Sequence, residues 1–287
     1  MGKTVLVFNG LCHHWGFYFT AAQDTNEIGA DDLERSIATM SHTSRWTHDA
    51  FENPLLSMVQ KASNANEDIA FKWVYKVLLT RWIIFCTFIE VARKQNGGNL
   101  PLGIKHDWLL FQILPIVLID DRHPFLSFLN SCLVGMAMED LIKMLNEHSL
   151  GRVLGPAFNS ESDVFFYILD EAQVTDERYM GAFTNANAEI RRPVLHPIIR
   201  VWHEVTSIPS VRFIVSGTGF LLSLFKMVLM LGVSKARSAW EVVHKTGDFV
   251  DRSLQESYIS RYLPPVFLSS PSGSALISRM YEWLCGQ

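Results

Sequence analysis

Short runs of large apolar residues indicate where buried strands lie in this chain. One such run covers residues 165–169 and is followed at once by Asp170 and Glu171. An uninterrupted run of this length is typical of a strand buried on both faces, as in a parallel sheet between two layers of helices. A second run, residues 211–215, precedes Ser216 and Thr218. The pattern therefore predicts an α/β fold in which buried strands end in polar residues.

The amino-terminal part of the chain shows helical spacing and then a further strand. Residues 3–14 are predicted to form the first helix, and residues 16–20 a short strand. A second helix is predicted to end near residue 39, with Asp31 or Asp32 as its cap. Residues 41–65 are rich in small polar residues, and we predict an irregular connection there.

The middle of the chain is predicted to be helical. Apolar residues recur at helical spacing over residues 66–95, and two further helical segments are predicted at 106–118 and 124–148. Because these segments lie between predicted strands, we expect residues 66–150 to form a large helical insertion in the sheet domain.

The carboxyl-terminal part continues this alternation. A helix is predicted to begin at Pro193, in whose first turn the proline would lie, and to end near residue 206, and a strongly apolar helix is predicted at 220–231. Residues 240–243 are predicted as one further strand. Residues 249–287 are predicted to be largely helical. We expect one core domain over residues 1–287, with its last part forming the start of a helical lid.

Composition restricts the class of protein. Of 287 residues, 48% are apolar and only 19% are charged, which indicates a folded chain with a sizeable core. The net charge of −4 provides no basic footprint for nucleic acid. The four cysteines are far apart in sequence, and residues 1–15 lack a signal-peptide pattern. We therefore expect reduced thiols and an intracellular location, in the cytoplasm or nucleus.

Two apolar stretches raise the alternative of a membrane span. Residues 77–92 are apolar on nearly every side of the predicted helix, but Arg81 and Glu90 interrupt them. Residues 213–233 are interrupted by a Ser-Gly-Thr-Gly turn and by Lys226. Neither stretch reaches the roughly 20 continuous apolar residues of a transmembrane helix. The pattern favours buried helices and no membrane span.

Asp170 and Glu171 are the first candidates for chemistry. A buried strand that ends in Asp-Glu has the pattern of a Walker B element, in which the first acid holds Mg²⁺ of a bound nucleotide and the second activates the attacking water. The alternative is that these residues only begin a helix that follows the strand.

The start of the chain supplies a second motif. Gly2, Lys3 and Thr4 match the last three residues of the phosphate-binding loop G-x-x-x-x-G-K-[ST], and a predicted helix follows them. In that loop the lysine reaches the β- and γ-phosphates and the hydroxyl binds Mg²⁺. The first glycine, the four loop residues and the strand before them are not in the sequence. We therefore expect the first strand to be missing and the phosphate loop to be truncated, with weak ATP binding or none.

The order of these motifs resembles that of P-loop ATPases with a catalytic glutamate, the class that includes AAA+ and STAND proteins. In that class the strand after the Walker B strand ends in a polar sensor residue, and Ser216 and Thr218 occupy this place. The alternative is that both are small turn residues.

More specifically, the chain resembles a large fungal family of P-loop ATPases grouped with crinkler-type proteins. The matching segments are Gly2-Lys3-Thr4 and residues 10–19, 166–173, 214–219, 246–249, 262–265 and 279–284. The resemblance implies a three-layer P-loop NTPase fold with ATP and Mg²⁺ as cofactors. It also implies that a complete phosphate loop precedes such a core and that a helical lid follows it.

The site residues implied by this resemblance can be named. Lys3, beside Gly2, would neutralise the phosphates. Thr4 and Asp170 would hold Mg²⁺, and Glu171 would orient water. Ser216 or Thr218 would sense the γ-phosphate.

Other candidates each have a structural alternative. Cys12 with His13 and His14 suggests a metal site, but adjacent histidines on a helix point about 100° apart, which favours surface or interface residues. Three arginines are candidates for an arginine finger or nucleotide sensor, and solvated or salt-bridged side chains are the alternative. They are Arg191, Arg192 and Arg261.

Two hypotheses about function follow. The first is an ATP-hydrolysing conformational switch, present here as a fragment with impaired activity. The second is a non-catalytic remnant or protein-interaction module of a crinkler-type protein. Besides the nucleotide, protein partners or self-association are expected.

Overall fold

The computed structural model describes residues 3–23, 28–101, 103–118, 123–147, 153, 163–185, 187–205, 211–217, 252–260 and 263–284. The chain folds as two compact units. The larger unit is Phe8–Arg237, and the smaller unit consists of Met1–Val7 with Ser238–Gln287.

A three-stranded parallel sheet forms the centre of the larger unit. Its strands are β1 (Trp15–Thr20), β2 (Phe165–Asp170) and β5 (Val211–Val215), in the order β1-β2-β5. The prediction of an α/β fold with a parallel sheet is therefore confirmed, and all three strands lie within one residue of their predicted bounds. Their carboxyl ends meet at one edge of the sheet, where ligands bind in open α/β sheets.

One face of the sheet is packed with aromatic rings against two helices, α3 (Leu56–Gln95) and α9 (Leu195–Val205). The ring of Phe17 contacts that of Trp82 with 5.0 Å between ring centroids. The Trp82 indole also donates a hydrogen bond of 3.0 Å to the Tyr167 hydroxyl. On α9, Trp202 packs on Phe19 at 5.0 Å. This aromatic layer explains why large aromatic residues recur in β1 and β2.

The other face is covered by Phe8–His13, the part of α1 (Lys3–His13) that belongs to the larger unit and directly precedes β1. Leu11 lies beside Gly16 near the start of β1, and Phe8 packs on Tyr18 further along it, with ring centroids 5.0 Å apart. The segment from Phe8 to His13 therefore runs antiparallel to β1. A Cβ atom at Gly16 would lie 2.6 Å from the Phe166 carbonyl oxygen, so only glycine permits this close approach.

The outer edge of β1 is closed by side chains of α4 (Ile104–Ile113). Gln112 accepts a hydrogen bond from the Tyr18 amide at 2.9 Å and donates one to the Gly16 carbonyl at 3.2 Å. The Trp108 indole donates to the same carbonyl at 2.9 Å. A buried glutamine thus takes the place of a neighbouring strand.

The described residues between β1 and β2 are largely helical, as predicted. They are α2 (Asp32–Met40), α3, α4, α5 (Pro115–Leu118), α6 (Pro124–Cys132) and α7 (Met138–Glu147), with a 3₁₀ turn at Ala50–Glu52 before α3. The predicted segment 124–148 is two helices, because the chain turns between Cys132 and Met138. Within the described ranges, none of the helices combines the length and apolar character that a membrane span requires.

The predicted irregular connection at 41–65 is wrong over its last ten residues, because α3 begins at Leu56. Two polar residues are fully buried in this first part of the helix. Ser63 accepts a hydrogen bond from the Thr184 amide at 2.9 Å, and Asn66 donates to the carbonyls of Thr47 and Ala182. These contacts hold a polar segment in helical form, and the apolar pattern does not reveal them.

After β2 the chain forms α8 (Gln173–Glu177) and a small antiparallel pair, β3 (Phe183–Thr184) and β4 (Arg191–Arg192). This pair was not predicted. The helix α9 begins at Leu195, so Pro193 lies before the helix and not in its first turn as predicted. The smaller unit contains α10 (Arg252–Ile259), α11 (Pro265–Leu268) and α12 (Pro271–Leu284). The elements predicted at 220–231 and 240–243 lie outside the described residues.

Candidate active site

Three polar residues stand in a row at the carboxyl edge of the sheet. Thr20 pairs with Asp170. Ser216 directly follows Val215, which pairs with Leu169. The Ser216 amide donates a hydrogen bond of 2.8 Å to the Leu169 carbonyl. Residues at the same level of neighbouring strands project from the same face. For this row it is the face that α1 covers, because Tyr18, two residues before Thr20, packs on Phe8.

Asp170 is buried, with only 3% of its surface exposed, and its carboxylate is held by hydrogen bonds. Its Oδ2 accepts a hydrogen bond of 2.9 Å from the Tyr18 hydroxyl, and its Oδ1 accepts one of 3.1 Å from the Glu171 amide. A buried carboxylate must be hydrogen-bonded or paired with a cation to remain charged. The two donors fix the orientation of Asp170 at the open end of the strand.

Glu171 occupies an unusual backbone conformation. Its φ of 53° is in the left-handed region, which residues other than glycine rarely adopt. The turn is fixed by a hydrogen bond of 2.9 Å from the Ala172 amide to the Ser216 carbonyl. The Glu171 carboxylate accepts a hydrogen bond from the Gln173 side chain. Strained backbone of this kind concentrates at functional sites.

The end of β5 contributes a hydroxyl and a close contact. The Ser216 Oγ is buried and has no hydrogen-bond partner among the described residues. At Gly217 a Cβ atom would lie 2.3 Å from the Gln173 Oε1 and 3.2 Å from the Gln173 backbone nitrogen. A larger residue at Gly217 would therefore displace the Gln173 side chain from its place beside the Glu171 turn.

The structure brings together three of the predicted site residues: Asp170, Glu171 and Ser216. Lys3 and Thr4 form the first turn of α1 and belong to the smaller unit. Gly2 and Thr218 lie outside the described residues.

Among the predicted arginines, Arg192 is buried in the larger unit. It is 4% exposed, and its Nη1 lies 2.8 Å from the Nε2 of His196. Burial and the charges of Arg192 and Arg200 lower the pKa of His196 to about 3, so this histidine is neutral and accepts the hydrogen bond. A buried guanidinium with an internal partner does not fit an arginine finger.

Arg191 is exposed and forms an ion pair with Asp49 at 2.6 Å, which matches the salt-bridged alternative. Arg261 lies outside the described residues. In the part of the chain that is described, no cluster of three or more His, Cys, Asp or Glu side chains could hold a metal ion. The His14 ring instead contacts Phe166, with ring centroids 5.5 Å apart.

Tyr18, Thr20 and Gln173 also belong to this site and were not predicted from the sequence. Thr20 was recognisable, because it ends a predicted strand and the carboxyl ends of parallel strands lie together. Gln173 was also recognisable, because it ends the segment 166–173 on which the family resemblance rests. Tyr18 gave no signal, because a tyrosine in an apolar strand has the pattern of a core residue.

Comparison with protein-family models, with curated proteins and with solved structures finds no match to this chain.

Proposed function

We propose that this chain is the core of a P-loop ATPase that acts as a conformational switch. The observation that carries the proposal is the row of Thr20, Asp170 and Ser216 beside the Glu171 turn at the carboxyl edge of a parallel sheet. Paired acids in this position are the arrangement that nucleotide hydrolysis with Mg²⁺ uses.

The direction of α1 supports the proposal. Between Phe8 and His13 the helix lies on the face that carries Asp170 and runs antiparallel to β1. In a P-loop a strand is joined directly to the helix after it, so that helix runs back antiparallel to the strands, and the direction of Phe8–His13 agrees with this.

The roles of the residues follow from their chemistry. Lys3 would bind the β- and γ-phosphates, and Thr4 and Asp170 would provide the oxygen ligands that Mg²⁺ prefers. When bound, Mg²⁺ neutralises charge on the phosphate oxygens. Glu171 would take a proton from the attacking water. Ser216 would contact the γ-phosphate or that water.

The described residues fit such a ligand. The Ser216 hydroxyl is buried without a partner among them, which is costly unless a ligand or water satisfies it. Asp170 is fixed by two donors, so its carboxylate does not have to be ordered when a cation binds.

The test is to measure Mg-ATP binding by calorimetry and phosphate release. The 287-residue chain is compared with a version that has an added apolar strand and a G-x-x-x-x loop before Gly2. Asp170→Asn should abolish Mg²⁺-dependent binding in whichever form binds. The matched control is Glu177→Gln, which neutralises an exposed carboxylate on α8. If neither form binds Mg-ATP, the ATPase proposal fails and the interaction module is the function to pursue.

A further inference from the structure

Gln173, the first residue of α8, lies between the Glu171 turn and the end of β5. Its side-chain nitrogen, Nε2, donates a hydrogen bond to the Glu171 carboxylate. Its side-chain oxygen, Oε1, is the atom that a Cβ at Gly217 would approach most closely, at 2.3 Å. One amide group thus faces the acid assigned to water activation with one end and the end of β5 with the other.

The chemistry of the two neighbours fixes which way this amide points. An ionised carboxylate can only accept hydrogen bonds, so the NH₂ end of the amide must face Glu171. The carbonyl end then faces Gly217. Rotating the amide by 180° would place its oxygen against the carboxylate, and the hydrogen bond would be lost.

The backbone next to this side chain is also tied to β5. The Ala172 amide donates a hydrogen bond of 2.9 Å to the Ser216 carbonyl. A Cβ at Gly217 would lie 3.2 Å from the backbone nitrogen of Gln173. In packing this close, an atom cannot shift without moving its neighbours. A displacement at the end of β5 therefore reaches the Gln173 side chain.

The orientation of the Glu171 carboxylate matters more for hydrolysis than for nucleotide binding. A general base must lie within hydrogen-bond reach of the water that it activates. A misplacement of about 1 Å can lower a rate about 10²-fold. Glu171 is half-buried and accepts its hydrogen bond from a residue only two positions further along the chain. That donor is therefore well placed to orient the base.

We propose that Gln173 is a positioning residue through which the end of β5 sets the orientation of the Glu171 carboxylate. Ser216, which directly precedes Gly217, is the residue assigned to the γ-phosphate. Contact between the phosphate and β5 would thus be transmitted to the acid that activates water. The role in hydrolysis rests on the proposed function, whereas the link from Gly217 to Glu171 can be measured without nucleotide.

The first readout is the ¹³C signal of the Glu171 carboxylate in ligand-free protein, assigned by its absence in Glu171→Gln. Gly217→Ala should move this signal, because the added Cβ displaces the Gln173 side chain. In a Gln173→Ala background the same change should leave the signal in place, because the connecting amide is gone. Gly135→Ala is the matched control and should have no effect, since a Cβ there meets nothing within 4 Å.

The second readout is phosphate release by a form that hydrolyses ATP. Gln173→Met keeps an unbranched side chain of similar length without the amide. This variant should release phosphate at least about tenfold more slowly at saturating Mg-ATP, while the Kd for Mg-ATP changes less than about twofold. A purely structural role for Gln173 would instead lower binding and hydrolysis together.

The proposal is overturned if Gly217→Ala leaves the Glu171 signal unchanged, or moves it equally in the Gln173→Ala background. It is also overturned if Gln173→Met releases phosphate as fast as the form with Gln173, or loses binding and hydrolysis in equal proportion. Failure of the proposed function gives a different result. No form would then bind Mg-ATP, while the Glu171 signal would still respond to Gly217→Ala through Gln173, and the positioning of Glu171 by Gln173 would stand.

Discussion

Tyr18 donates a hydrogen bond of 2.9 Å to Asp170 across two neighbouring strands at the carboxyl edge of the sheet. The two residues are diagonal neighbours, because Tyr18 pairs with Ile168 and Thr20 pairs with Asp170. The Tyr18 hydroxyl thus links the core of the sheet to the candidate active site.

Tyr18→Phe should therefore destabilise the protein by about 1.5–3 kcal/mol, the range for a hydrogen bond to a charged group. Urea unfolding measures this loss. Tyr179→Phe is the matched control, because its hydroxyl donates to a neutral acceptor, the Ile37 carbonyl, at 3.1 Å. The control should lose less stability. If Mg-ATP binds, only Tyr18→Phe should weaken it; an equal effect of both variants would contradict the role of Tyr18.

The left-handed backbone of Glu171 predicts a conflict between stability and activity. Glycine adopts φ near 53° without steric cost, so Glu171→Gly should be more stable than Glu171→Ala by about 1 kcal/mol in urea unfolding. In a form that hydrolyses ATP, both variants should lose about 10²–10⁴-fold in phosphate release, because both lack the carboxylate. A glycine variant less stable than the alanine variant would show that this backbone is not strained.

Much of the sheet could be predicted from the sequence. β1 and β2 are buried along nearly their whole length and appear as apolar runs, and the apolar residues of β5 are interrupted only by the exposed Arg212, so all three strands were located within one residue. The meeting of Asp170 and Ser216 follows from a general rule, because the carboxyl ends of parallel strands lie at one edge.

The remainder depends on contacts between distant residues. Asn66 lies on a polar helical turn, and its amide is satisfied by Ala182, 116 residues away. The hydroxyl of Tyr18 reaches Asp170 only because of the register between β1 and β2. No local pattern contains such pairings, so the start of α3 and the hydrogen bond to Asp170 could not be predicted.

The Arg81–Asp32 pair predicts strongly coupled mutations. Both side chains are fully buried, and Arg81 donates two hydrogen bonds, of 2.5 and 3.0 Å, to the Asp32 carboxylate. Arg81→Met alone leaves a buried carboxylate without its cation and should cost about 3–5 kcal/mol. Arg81→Met combined with Asp32→Leu should recover most of this loss, since replacing a buried ion pair by apolar residues is often neutral. A double-mutant cycle in urea measures the coupling, and additive losses would contradict it.

The buried His196 predicts loss of stability in mild acid. Burial, with the charges of Arg192 and Arg200, lowers its pKa from 6.5 to about 3. Between these values the unfolded chain binds a proton that the folded chain does not. The stabilisation is therefore complete above about pH 6.5 and is lost as the pH falls, by up to about 1.4 kcal/mol per unit.

His196→Gln provides the comparison, because glutamine can still accept the hydrogen bond from Arg192. From pH 7 to pH 5 the unmodified protein should lose about 2 kcal/mol more than this variant in urea unfolding. Burial raises the pKa of Glu67, so this residue adds stability as the pH falls. Glu67 is present in both proteins, so comparing them removes its effect. Equal losses for the two proteins would show that His196 is protonated as easily in the folded state as in the unfolded one.

The contacts of Gln112 predict that this side chain protects the β1 edge of the sheet. Its amide accepts from Tyr18 and donates to Gly16, so one side chain satisfies backbone groups that would otherwise invite pairing with another chain. Gln112→Met keeps a similar volume but leaves the buried Tyr18 N–H without that acceptor, which should cost about 1–3 kcal/mol. Trp108 still donates to the Gly16 carbonyl, so the edge should loosen rather than unfold.

Urea unfolding gives the loss, and amide exchange at Tyr18 should accelerate more than exchange in β2. Trp108→Phe is the matched variant, because it removes the other donor to Gly16 but keeps Gln112 on the Tyr18 amide. If Tyr18 exchanges as slowly in Gln112→Met as in the unmodified protein, the glutamine does not protect this edge.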